Sequence, residues 1–221
     1  SSLNQYVVQD DSDDEVDTRD TESVIEGTQQ EISNYTYETE LDPISGAVRK
    51  QKIYYKQSPV DFDSLESINQ DLAGWLRLDA LDLSYPIVQT DDNEYYLHKT
   101  FEGTDNFAGC IFIDHLNDPK FGDSNTIIYG HNMKNGSMFG TLHNLSDRTV
   151  YAKDPYFWIY TPDKTFKFHI FSCRTVETGS STYTIKFSTK DDYLEYLKDA
   201  ANASEVICDS MTLDASDKVV T

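Results

Sequence analysis

Beyond residue 57, apolar residues fall into short runs whose spacing names the elements they build. Asp63 suits a helix cap with Glu66 as its reciprocal partner three residues on, and Leu65, Ile68 and Leu72 follow at helical spacing until Gly74 stops the run. Residues 75–78 and 83–88 read as strands, with Pro86 marking an edge or bulge in the second. Asp91, Asp92 and Asn93 are turn residues opening a segment to Leu97 that suits a short helix. From residue 107 strands dominate, at 109–114, 126–129, 156–160, 165–175 and 183–187, rich in Tyr, Phe, Ile, Val and Thr. Thr161-Pro162-Asp163-Lys164 fits a type I turn and predicts a hairpin between the runs on either side. Thr189 caps a second helix, Asp192 completes its capping box, and Tyr193, Leu194 and Leu197 supply its apolar face. Lys218-Val219-Val220-Thr221 opens one more strand. The pattern predicts a mostly β fold, an antiparallel sheet closed into a β-barrel with a few helices.

The first 50 residues follow other rules. They hold 13 acids, six of them between Asp11 and Asp20, against Arg19, Arg49 and Lys50, a net charge of −10. Low hydrophobicity with high charge cannot offset chain entropy. Residues 1–56 are therefore expected to form an acidic, largely disordered tether, and 57–221 the barrel domain. The whole chain carries −21, which excludes nucleic acid as the default partner and disfavours adhesion to an anionic membrane surface. No apolar run reaches the roughly 18 residues of a membrane span, and Ser1-Ser2-Leu3-Asn4 does not begin a signal peptide.

Cys110, Cys173 and Cys208 form no C-x-x-C pair and no zinc spacing with histidine, so no metal is expected, and the odd count leaves at least one thiol free. Cys110 and Cys173 sit in apolar strand patterns, where buried, inert cysteine is the plain expectation. The segment Asn125-Thr126-Ile127-Ile128-Tyr129-Gly130-His131-Asn132-Met133 is more informative. An apolar strand ends at Gly130, and His131 follows in a polar loop. A strand end holds the ring rigidly while its nitrogens stay reachable, which suits acid/base work beside a thiol. On spacing alone, a loop histidine bonded to a backbone carbonyl stands beside that reading. His98, His115, His143 and His169 lack the setting.

Several pieces in order make the stretch from Asp71 to Leu145 resemble the class B sortases, cysteine transpeptidases of Gram-positive cell surfaces. They are Gly74-Trp75-Leu76, Tyr85-Pro86-Ile87-Val88-Gln89, Asp92-Asn93-Glu94-Tyr95-Tyr96-Leu97, Ala108-Gly109-Cys110-Ile111-Phe112-Ile113-Asp114, residues 126–133 and Gly136-Ser137-Met138-Phe139-Gly140. The resemblance extends over roughly residues 60–221. It implies a sortase-like barrel with an N-terminal helix and, near 189–203, a helix between the sixth and seventh strands. It makes His131 catalytic, Asn93 and Leu97 groove positions, and Tyr183 and Ile185 walls of the same groove, each of which ordinary packing also explains.

The family's nucleophile lies in a T-L-x-T-C motif ending the seventh strand, and an Arg follows on the eighth. That strand is expected to begin near Lys218, so the chain is expected to stop short of both. The implied reaction cleaves a sorting-signal peptide through a Cys thioester and passes it to an amine of the cell wall or of a pilin. It implies no cofactor. The resemblance also implies a place on the extracellular face of the cell membrane, held by an N-terminal anchor outside this chain. A catalytically inactive groove-containing peptide-binding module is the alternative, and a hydrolase pairing Cys173 with His131 is a third reading. Residues 41–46, with Pro43 and Gly46, read as turn chemistry or as a lid over the groove.

Overall fold

The longest strand of the barrel shows why the sheet stands where it does. In β10 (Thr165–Glu177), Phe166, Phe168 and Ile170 are buried while the residues between them are half-buried, the alternation of a one-faced strand. From Ile170 to Arg174 every residue is buried, because α3 (Lys190–Asn202) covers the outer face. Phe171 packs there with Tyr193, Leu197 and Ala200, while Ile170 and Cys173 join the barrel interior.

The computed structural model describes residues 21–32, 35–41, 48–54, 58–209 and 211–221. The remaining elements are β1 (Thr21–Ile32), β2 (Tyr35–Leu41), β3 (Val48–Tyr54), α1 (Phe62–Glu66), β4 (Leu72–Leu78), β5 (Leu83–Val88), β6 (Ile111–Ile113), β7 (Asn125–Thr126), β8 (Ile128–Tyr129), α2 (Arg148–Tyr151), β9 (Tyr156–Tyr160) and β11 (Val219–Val220). Nine strands form one sheet in the order β7-β11-β1-β10-β9-β4-β5-β6-β8, and β2 and β3 form a separate antiparallel pair. The β5–β6 and β7–β11 pairings are parallel and the others antiparallel.

The chain itself draws the two edges together. It passes from β7 to β8 through the single residue Ile127, whose amide donates to Asn117 Oδ1 at 2.9 Å and whose carbonyl accepts from Asp114 N at 2.9 Å. Ile128 N donates to Thr221 O at 2.8 Å. The result is a nearly closed barrel with few helices, as the pattern of residues 57–221 predicted. The interior is filled by Leu78, Ile87, Ile111, Ile113, Phe157, Ile159 and their neighbours.

Local signals hold where partners are close in sequence. The turn at 161–164 closes with Thr161 N donating to Lys164 O at 2.8 Å. The α3 capping box is present in both directions, with Asp192 N on Thr189 Oγ1 and Thr189 N on Asp192 Oδ2, each at 3.0 Å. Thr189→Ala is expected to cost about 1 kcal/mol of unfolding free energy in a urea titration, the usual value of an N-cap. An unchanged midpoint would mean that α3 is held by packing alone.

Three expectations change. Helix α1 is capped by Asp61 rather than Asp63, with Asp61 Oδ1 accepting from Ser64 N at 3.1 Å. It ends early because the Asn69 amide turns to Tyr96 OH at 2.7 Å and Phe101 O at 2.8 Å, leaving Ile68 exposed and Leu72 in β4. Residues 183–187 are not a strand. Ser181–Tyr183 form a 3-10 turn, and side chains from other elements hold the turn and the residue after it: Arg174 Nη2 donates to Thr182 Oγ1 at 3.1 Å, and Asn125 Nδ2 to Thr184 O at 3.0 Å.

The boundary set at residue 56 also fails for Thr21–Ile32. This segment lies in the sheet as β1, between β10 and β11. Glu26, one of the charges that argued against it, is fully buried and accepts from Arg174 Nη1 at 2.6 Å and Nη2 at 2.9 Å. Residues 1–20 lie outside the described residues, as do 42–47, and with them the lid reading of 41–46.

Candidate active-site groove

The end of β8 carries the site. Gly130 follows Tyr129 at a point where a Cβ would run into Ile111 and Phe139, so glycine lets the strand pass close before the chain turns out. His131 then enters a loop tied back on itself by Phe139 N to His131 O at 3.0 Å and by the Asn132–Met138 bridge. A second loop meets it. Asp92 Oδ1 accepts from Glu94 N and Tyr95 N, each at 2.8 Å, and starts the 3-10 turn Tyr95–Leu97. These bonds hold the Asp92 carboxyl below its ordinary range. Gly109, at φ +63°, brings Cys110 N onto Tyr96 O at 2.9 Å and fixes that turn to the barrel.

The two loops meet at a hydrogen bond of 2.8 Å between His131 Nε2 and Leu97 O. A carbonyl only accepts, so Nε2 carries a hydrogen in this contact. The Phe107 ring lies parallel to the imidazole, with centroids 6.4 Å apart, and His98 lies at the same centroid distance. The ring is thus held at Nε2 and faced by Phe107, and Nδ1 is its other nitrogen.

Beside His131 opens a cavity of about 470 Å³, within the range of small-ligand and peptide clefts. Its floor is apolar, from Leu76, Leu78, Leu83 and Phe157, and its mouth carries Asn93, Leu97, Tyr129, His131, Tyr183 and Thr221. Four of the five site residues expected from sequence therefore share one groove. Ile185 is half-buried but does not line it, because the turn at 181–183 breaks the strand alternation that would have paired it with Tyr183. Tyr129 lines the groove and was not singled out, although it lies two residues before His131. Ser23, Val24 and Ile25 of β1 also line it, and no local signal in their acidic surroundings marked them.

None of the three cysteines lines the groove. Cys110 and Cys173 are buried, and burial pushes each thiol up to about 12. Cys208 is half-buried and also shifted up by burial. A thiol so raised is almost wholly protonated at neutral pH and is a poor nucleophile. Among the described residues no group of three His, Cys, Asp or Glu could hold a metal ion, and no helix is long and apolar enough to cross a membrane.

The model of the sortase domain matches residues 76–201. Sortase B of Listeria monocytogenes is 31% identical over 85% of this chain and 72% of its own length. Sortase B of Staphylococcus aureus is 30% identical over 72% of this chain and 65% of its own length. Among solved structures, sortase B of Bacillus anthracis in complex with AAEK1 aligns with TM-score 0.66 and 36% identity, covering 75% of this chain and 78% of that one. Clostridium perfringens sortase B aligns at 0.68 with 32% identity over 72% and 88%. A Staphylococcus aureus sortase B–substrate complex aligns at 0.68 with 28% identity over 72% and 73%. With this barrel, this groove and this histidine, the chain belongs to the sortase family, among its class B members.

Proposed function

We propose that the groove binds the sorting-signal peptide of a surface protein or pilin, and that His131 moves the protons of a cysteine transpeptidation on it. The observation that carries this reading is His131 clamped through Nε2 to Leu97 O at the rim of the cavity, in one groove with Asn93 and Tyr183. The solved Staphylococcus relative described as a sortase B–substrate complex supports a substrate-binding role for the groove.

In such a reaction a thiolate attacks the peptide carbonyl carbon. The C–N bond breaks as the imidazolium gives its proton to the leaving amine, and a thioester remains. An amine of the cell wall or a pilin then attacks the thioester, its proton passes to Nδ1, and the thiolate leaves. This chain supplies the groove and the proton carrier. The thiolate has to be a group other than Cys110, Cys173 and Cys208, which are raised and lie away from the cavity. The setting we propose is the extracellular face of the cell membrane.

The three inert thiols favour a second reading for the chain by itself, as a peptide-binding module without turnover. Both readings meet one experiment. Fluorogenic sorting-signal peptides of several motifs are expected to bind the 221-residue chain and to stay uncut, and a thiol probe at pH 7 is expected to label Cys173 only on unfolding. Cleavage abolished by Cys173→Ala or Cys208→Ala would overturn the assignment of His131's partner. Absence of binding by every peptide would overturn the groove's role.

A further inference from the structure

Asp114 does not line the cavity, yet it binds two residues that do. It sits one residue past β6 and is 6% exposed. Its Oδ2 accepts from Asn93 Nδ2 at 2.9 Å and from Tyr129 OH at 3.0 Å. Its Oδ1 accepts from Leu116 N at 2.9 Å, and His115 Nδ1 stands 3.6 Å from the same oxygen. The next residue closes the ring of contacts, with His115 N donating to Asn93 Oδ1 at 2.9 Å. Gln89 Nε2 holds the backbone from below through Asp114 O at 2.8 Å and Asn117 O at 2.9 Å.

We propose that Asp114 is the positioning residue of the groove's polar corner: its one carboxylate oxygen sets the orientation of the Asn93 amide and of the Tyr129 hydroxyl toward a bound peptide. The proposal rests on the peptide-binding reading of the groove. Its chemistry is a matter of donors and acceptors. A carboxylate accepts only, and the His115 amide donates only. Between them the Asn93 side chain has a single satisfactory orientation, with nitrogen toward Asp114 and oxygen toward His115. The Tyr129 hydrogen is likewise drawn to Oδ2. The ring beneath it stacks on Tyr183, centroids 6.2 Å apart. Replacing the carboxylate by a carboxamide removes the reason for both orientations, because an amide can face Asn93 with a donor or an acceptor.

Fluorescence anisotropy on the 221-residue chain tests this, with fluorescein-labelled peptides carrying a Pro-x-Thr core varied at x. Asp114→Asn and Tyr129→Phe are each expected to weaken binding about tenfold, the scale of one charge-assisted hydrogen bond. The double variant is expected to lose little more than either single one, since both act through one contact. Losses that multiply, or an Asp114→Asn variant that binds as the parent does, would overturn the proposal, because a merely structural aspartate would act independently of the Tyr129 hydroxyl. If Asp114→Asn fails to fold by circular dichroism, Asp114→Glu, which keeps the charge but displaces the acceptor by one methylene, must show the same non-multiplying loss with Tyr129→Phe. A parent chain that binds no peptide defeats the groove reading and this proposal with it. A parent that binds, with multiplying losses, defeats the Asp114 role alone.

Discussion

His131→Ala is expected to lower turnover of a sorting-signal peptide by at least ~100-fold, the scale of a positioned acid/base. The fold should survive, since His131 is half-buried and lies outside the three apolar clusters of the core. The variant would lose the proton carrier and the tie to Leu97 O together. His131→Gln separates the two, because its amide nitrogen can still donate to that carbonyl while the side chain carries no titrating proton. It should keep the loop geometry and still lack turnover. Near-normal turnover in either variant would reduce His131 to a loop residue bonded to a carbonyl.

Arg174→Leu is expected to destabilise the barrel by about 3–5 kcal/mol, because it strands a buried carboxylate. Glu26 is fully buried, and burial pushes its carboxyl up while Arg174 pulls it back. The guanidinium also reaches Ser172 Oγ at 2.9 Å and Ala200 O at 3.0 Å, and Tyr196 OH donates to Glu26 Oε1 at 3.2 Å. One arginine thereby joins β1, β10, the 181–183 turn and α3. The double change Glu26→Leu with Arg174→Leu should recover much of the loss, since a buried pair is often replaceable by apolar residues. Urea unfolding reads the total, and hydrogen exchange over residues 21–32 tells whether β1 alone lets go. A single variant with unchanged stability and protection would show that β1 is not held by this pair.

These residues also show where the sequence is legible. The α3 capping box and the 161–164 turn have partners three residues apart, so the pattern of types is the structure. The His131 segment was readable because an apolar strand, a glycine and a histidine stand in line. β1 was not, because Glu26 reads as a solvated charge until Arg174, 148 positions away, is known to face it. The 183–187 run has strand composition, but Asn125 and Arg174 bond to the turn and the residues after it, and the face shared by Tyr183 and Ile185 dissolved with the strand. Asp114 stood inside a quoted motif, yet its role depends on Asn93, from a loop, and Tyr129, from the end of β8, converging on it.

The place of β1 in the sheet sets an order of events during folding. Tyr160 pairs with Thr165 across one short turn, whereas Glu26 must find Arg174 over 148 positions. Closing the longer loop costs about 3 kcal/mol more by the logarithmic rule for flexible chains. The β9–β10 hairpin can therefore nucleate early, while β1 is the last long strand to dock. During synthesis the order is reversed: Thr21–Ile32 leaves the ribosome first and waits, with its ladder groups unpaired, until β10 has been made. An unpaired strand is a template for aggregation, and the acids clustered between Asp11 and Asp20 immediately ahead of it supply like-charge repulsion between nascent copies for that interval.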